Sequence, residues 1–185
     1  MRHIAAAAVI LADADAPPGG YAGQVVVILM GVAGSGKTTI GSALAAATGW
    51  VFLDADDFHT AAAVAKMRDG VPLADADRAT WLASLHDRIA LALDRRQHAV
   101  LACSALKSRY RQTLRGSLRG VRFAYLRADA QTLAQRLADR TGHFAGPSLL
   151  ASQLADLEEP TDELTIDATM PPQQIVDAIR RAFGI

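Results

Sequence analysis

Cysteine is nearly absent, with Cys103 the single one in 185 residues. A lone thiol cannot close an internal disulfide, so nothing in the chain points to an oxidising compartment. Aromatic residues are scarce at 5%, which leaves a core built mainly from Ala, Leu and Val. Neither sign of charge is in excess, 19 Lys and Arg standing against 19 Asp and Glu. A nucleic-acid surface would show as a basic excess or stripe, so that class of partner is disfavoured. The apolar stretch over residues 4–12 is too short to span a bilayer, which takes about 20 residues. What remains is enough chain for one domain with a proper hydrophobic core.

What is present is a complete G-x-x-x-x-G-K-[ST] sequence at Gly31-Val32-Ala33-Gly34-Ser35-Gly36-Lys37-Thr38. An unbroken apolar run over residues 25–30 precedes it and reads as a buried parallel strand. Thr39-Ile40-Gly41 and the alanine-rich stretch to about residue 47 read as a helix. Strand, glycine loop and helix together predict a phosphate-binding loop. Backbone N–H groups of residues 31–39 would surround phosphate oxygens at a helix N-terminus, with Lys37 on the β- and γ-phosphates and Thr38 on Mg²⁺. The alternative is a glycine-rich turn with Lys37 merely solvated. ATP and Mg²⁺ are the cofactors this motif predicts.

Residues 1–23 have the outline of an export signal, a basic start followed by a short apolar stretch. Asp13 and Asp15 stand where small neutral residues would favour cleavage, and an enzyme using ATP belongs in the cytoplasm. These residues are therefore expected to be a poorly ordered leader or the product of an upstream start. Pro17-Pro18-Gly19-Gly20 marks the break, and the domain is expected over 24–185.

From there strands and helices alternate, which predicts a three-layer α/β/α domain with a five-stranded parallel sheet. Strands are expected at 25–30, 50–53, 99–103, 121–126 and 164–167. Helices are expected at about 37–47, 61–68, 79–93, 130–139 and 149–157. A last helix would run to about 183, with Pro171 in its first turn. Cys103, Met30 and Met67 read as core. This arrangement resembles the small-molecule and nucleotide kinase branch of the phosphate-loop fold, which implies strand order 2-3-1-4-5.

Asp54 and Asp56 fall at the carboxyl end of the second strand. Phosphoryl transfer needs a carboxylate near Mg²⁺ and another to take the acceptor hydroxyl's proton. Alternation along an extended segment would point both the same way. Asp54 is assigned to the metal and Asp56 to the acceptor; a helix N-cap cluster is the alternative. The third strand ends in Cys103-Ser104-Ala105, lacking the aspartate with which motor ATPases and GTPases hold Mg²⁺. Arg78 and Lys107 are candidates for an anionic substrate, unless merely solvated. His59 taken alone reads as structural. Arg136 and Arg140 precede Thr141-Gly142-His143-Phe144-Ala145-Gly146-Pro147, which reads as a lid over about 136–148. Arg140, with Lys37 and Asp56, makes up the catalytic set, and Arg136 joins the nucleotide set. His59, Arg78, Lys107 and His143 join Asp56 as substrate-binding candidates.

Taken in order, several segments resemble the phosphate-loop gluconokinases, relatives of shikimate kinase. They are residues 30–41, Gly49-Trp50-Val51-Phe52-Leu53-Asp54-Ala55-Asp56-Asp57-Phe58-His59, residues 65–73, Asp77-Arg78-Ala79-Thr80-Trp81-Leu82, residues 103–111, residues 140–144 and residues 149–158. The resemblance implies transfer of the γ-phosphoryl group of ATP to D-gluconate, and a homodimer. Three positions depart from the family pattern. Thr60 and Thr80 replace prolines, with an effect expected only on loop stiffness. Ala63 replaces an asparagine that could bond a substrate hydroxyl, which would relax selectivity among sugar acids.

Overall fold

The computed structural model describes residues 9–10, 23–69, 71, 73–139 and 147–185. Its elements in chain order are β1 (Val9–Ile10), β2 (Val26–Met30), α1 (Lys37–Thr48), β3 (Val51–Asp54) and a 3-10 turn (Ala55–Phe58). Then come α2 (Ala61–Arg68), α3 (Asp75–Asp94), β4 (Ala99–Ala102), α4 (Ser108–Arg115) and β5 (Val121–Arg127). The chain closes with α5 (Ala130–Ala138), α6 (Pro147–Asp156), β6 (Leu164–Asp167) and α7 (Pro172–Phe183).

Five strands pair in parallel in the order β3-β4-β2-β5-β6, which is 2-3-1-4-5 as expected. β1 adds a short antiparallel pairing on β6, Val9 facing Ile166. Apart from Gly23, the rest of the expected leader lies outside the described residues. β2, with a strand on each side and helices on both faces, is buried along its whole length. That double burial explains why it reads as a continuous apolar run and not as an alternation.

Alternate β2 residues serve two cores. Val26, Ile28 and Met30 pack with Leu101, Phe123 and Tyr125 beneath α3 and α4, against Trp81, Leu85, Ile89 and Leu114. Val27 and Leu29, with Val25 just before the strand, face α1 and α7 through Ile40, Leu44, Ile175 and Ile179. Gly41 lets α1 lie close to the sheet, because a Cβ there would come 2.5 Å from the Phe52 ring. A third, smaller cluster joins Val32 of the glycine loop to Leu106, Leu133 and Leu150.

Several boundaries differ from expectation for identifiable reasons. α3 begins at Asp75, four residues early, because the Asp77 carboxylate accepts the Ala74 N–H at 2.9 Å and caps the first turn. Thr80 therefore lies within a helix, not a loop. α4 was not foreseen; its residues are strongly polar, and only Tyr110, Arg111 and Leu114 are buried. Pro171 is the cap of α7, and Pro172 occupies the first helical position. Met67, expected in the core, is 41% exposed on α2.

Candidate active site

The glycine loop leaves the carboxyl end of β2 and turns into α1. Gly31 has φ +144, and a Cβ there would come 2.8 Å from Ser35 Oγ and 2.9 Å from the Leu126 carbonyl. Only glycine fits that turn. Gly36, the residue before α1, is left-handed at φ 95 and offers no side chain to the first helical N–H groups. Those N–H groups and the positive end of the helix dipole are thus directed at whatever occupies the loop. Ser35 Oγ is buried within the loop with no hydrogen-bond partner among the described residues. An orphaned hydroxyl in a cradle of amides fits a phosphate oxygen.

Inside the loop the Lys37 ammonium donates to the Val32 carbonyl at 3.1 Å. The Ser35 N–H donates to the same carbonyl at 3.2 Å. The neighbouring Ala33 N–H is taken by Oε1 of Gln153, from α6, at 2.6 Å. Beneath the loop, the Gly31 N–H donates to the Ser104 carbonyl at 3.2 Å. That support comes from the turn after β4, where Ala105 has a positive φ of 44. The buried Arg111 guanidinium donates to the Ala105 and Leu106 carbonyls at 3.2 and 3.0 Å. It holds a turn that a non-glycine residue adopts only under constraint.

Thr38 and Asp54 meet directly, the hydroxyl donating to the carboxylate at 3.0 Å. Two hard oxygens at the mouth of a phosphate loop suit Mg²⁺, which takes one or two protein oxygens and completes its shell with phosphates and water. Asp56 corrects one expectation. It lies in the 3-10 turn, not on the strand, so alternation does not orient it. Asp54 instead accepts the Asp56 N–H at 3.2 Å, folding the second carboxylate back toward the first. Asp56 is exposed to solvent, yet the protein around its carboxyl partly desolvates it. That desolvation first, and the Asp54 charge second, raise its pKa above the usual 3.8, against the lowering pull of His59 and Lys37.

His59 stacks on Trp81 with ring centroids 4.5 Å apart. Its Nδ1 is buried without a partner among the described residues, and burial lowers its pKa below 6.5. Trp81 is fixed in turn by its indole N–H, which donates to the Ala55 carbonyl at 2.8 Å. The tryptophan therefore holds the backbone between the two aspartates.

The other candidates divide. Arg136 borders a cleft of about 270 Å³ beside Gly34, Ser35, Gly36 and Thr39, and donates to the Ala168 carbonyl at 2.8 Å. The opposite wall, Met170, Pro172 and Ile175, was missed because the turn after the last strand carries no motif. Lys107 is engaged by Asp156 of α6 at 2.9 Å, which raises its pKa. Arg78 lies 3.6 Å from Asp75, which also receives Arg109 at 2.9 Å. Arg140, His143 and most of the expected lid lie outside the described residues. Thr60 does more than alter stiffness, since its hydroxyl accepts the Ala63 N–H and caps α2. Ala63 itself is buried. Gln153 and Arg111 were not singled out, although each is a long polar side chain directed into packed structure.

Comparison with known proteins returns the same kind of molecule. A family model described as an AAA domain matches residues 26–160. Among curated proteins, the gluconokinase of Gluconobacter oxydans (strain 621H) is 42% identical over 160 residues, covering 85% of this chain and 90% of that protein. A sugar kinase from Janibacter sp. HTCC2649 superposes with a TM-score of 0.81 at 40% identity, covering 88% of this chain and 95% of that one. A gluconokinase from Sinorhizobium meliloti 1021 gives 0.77 at 38% identity, covering 90% and 94%.

Proposed function

The chain belongs to the gluconokinase family of phosphate-loop kinases, and we propose on that footing that it transfers the γ-phosphoryl group of ATP to D-gluconate. The products are 6-phospho-D-gluconate and ADP. The observation that carries this reading is the meeting of Lys37, Thr38, Asp54 and Asp56 at one end of the sheet. Phosphoryl transfer asks little covalent chemistry of a protein, so positioning and charge do most of the work.

In this reading the loop amides from Gly34 to Thr39 hold the triphosphate, and Lys37 leaves the Val32 carbonyl to neutralise its β- and γ-oxygens. The cleft between Arg136 and the Ala168–Met170 turn takes the adenosine. Thr38 and Asp54 hold Mg²⁺, which when bound spreads the charge of the phosphate oxygens. Asp56 accepts the proton of the gluconate hydroxyl as that oxygen attacks the γ-phosphorus. Its raised pKa suits a base that must hold a proton briefly and release it. His59, kept neutral on Trp81, presents a ring nitrogen to a substrate hydroxyl. Arg78 and Lys107 face the carboxylate end, and Arg140 and His143 are carried over from the family pattern. We further propose that the enzyme works in the cytoplasm as a homodimer. Among the described residues no helix is long and apolar enough to cross a membrane.

The test is a coupled assay of ADP release across gluconate, other sugar acids, shikimate and nucleoside monophosphates. Gluconate should give the highest kcat/KM. A clear preference for another acceptor would overturn the assignment. A kinase for a related sugar acid is the second reading, and buried Ala63 in place of asparagine is what favours it.

A further inference from the structure

One peptide unit of the phosphate loop is held from both sides. The carbonyl of Val32 and the N–H of Ala33 belong to the same planar group, so they point in opposite directions and turn together. The carbonyl accepts Lys37 Nζ at 3.1 Å and the Ser35 N–H at 3.2 Å. The N–H is held by Gln153 Oε1 at 2.6 Å, across 120 residues of sequence. Fixing one end of the plane fixes the other, and the other end is where the catalytic lysine is held.

The helix that supplies Gln153 is itself anchored to this corner. Leu150, one turn earlier and on the same face, packs with Val32, Leu106 and Leu133. Asp156 pairs with Lys107 at 2.9 Å. Just past the helix, the Glu158 N–H donates to the Leu106 carbonyl at 3.0 Å, and the Glu158 carboxylate accepts the Ser108 N–H at 2.7 Å. Residues 32 and 33 thus receive an apolar contact and a polar one from the same helix.

We propose that Gln153 is a positioning residue for the nucleotide site, locking the Val32–Ala33 peptide plane so that the loop keeps its shape when Lys37 leaves the Val32 carbonyl for the triphosphate. The inference rests on the kinase reading only in requiring that the loop bind ATP. Without the amide oxygen, and once Lys37 has moved to the triphosphate, only the Ser35 N–H still holds the plane, so part of the cradle must be ordered each time nucleotide binds. The effect is therefore on ATP and not on the acceptor.

The test uses the full chain with Gln153→Leu, which keeps the bulk and removes the acceptor, and Gln153→Glu, which keeps an acceptor oxygen. Calorimetric titration with ATP should show Gln153→Leu binding about 5–10-fold more weakly, the loss expected for one aligned hydrogen bond. Its KM for gluconate should stay within about twofold of wild type. In amide NMR spectra the Ala33 resonance should move in Gln153→Leu and remain near its wild-type position in Gln153→Glu. An unchanged ATP affinity, or an unmoved Ala33 resonance in Gln153→Leu, would overturn the proposal. A parallel loss of gluconate binding and thermal stability would reduce Gln153 to a structural contact. Wild-type protein that binds ATP without phosphorylating gluconate would sink the substrate reading, while the nucleotide titration would still decide the role of Gln153.

Discussion

Asp56 carries opposing demands. Burial and Asp54 push its pKa above 3.8, so the protonated form is favoured by the fold. That contribution to stability is complete below the unfolded value and is lost as pH rises through the folded one. At neutral pH the charged carboxylate, the form the proposed base requires, therefore costs stability. Asp56→Asn should cut turnover by about 10²–10⁴-fold, the usual worth of a general base, with ATP affinity largely kept. It should also unfold at a temperature no lower than wild type. In the wild type, kcat/KM should rise with pH along a limb lying above the ordinary carboxylate value, and the variant should lose that limb. Near-normal turnover in a pH series of the variant would move the base elsewhere. His59 titrates in the opposite sense: burial lowers its pKa, so its contribution to stability is complete above 6.5 and is lost as pH falls through the lower folded value.

Two elements bring the carboxylates into register, the 3-10 turn after β3 and the first turns of α3. Trp81 joins them through its bond to the Ala55 carbonyl. Trp81→Phe keeps the buried ring but leaves that carbonyl unpaired, which costs about 1–3 kcal/mol. Urea unfolding should report that loss. The KM for gluconate should rise while nucleotide affinity is spared, since the phosphate loop rests on β2, Ser104 and α6. These elements also show what the sequence could reveal. The phosphate loop was legible because a glycine pattern between an apolar run and a helix has one common physical use. The pairing of Asp54 with Asp56 was legible as proximity but not as geometry. An aspartate that bonds the N–H two residues on converts an apparent strand end into a turn. α4 escaped because its burial rests on Tyr110, Arg111 and Leu114 alone.

At the scale of the whole molecule, the parallel sheet followed from the alternation of strands and helices, and the order of its five strands from family resemblance alone. The two-residue pairing of β1 with β6 did not, because Val9–Ile10 sits in a stretch whose composition suggests a leader. Gln153 was unreadable for a related reason: its partner lies 120 residues away, and a backbone N–H leaves no mark in sequence. Exposed carboxylates also tie the helices down. Arg109 and Tyr110 of α4 hold Asp75 of α3, Lys66 of α2 holds Asp77, and Asp129 caps α5 by accepting the Thr132 N–H. Each of these carboxyls is kept below its ordinary 3.8, so their support is present above that pH and is lost as pH falls through the lower folded values. Urea midpoints measured down the acid range should decline below about pH 4. A midpoint that stays level there would mean these pairs contribute nothing.

In the proposed mechanism two aspartates beside a phosphate loop direct the terminal alcohol of gluconate at ATP. Phosphorus and carbon NMR of the product formed by purified enzyme with ATP, Mg²⁺ and gluconate tests this. A single phosphate ester at C6 should appear, formed in step with ADP and nearly abolished in Asp56→Asn. An ester at another carbon, or ADP released without any phosphorylated gluconate, would contradict it.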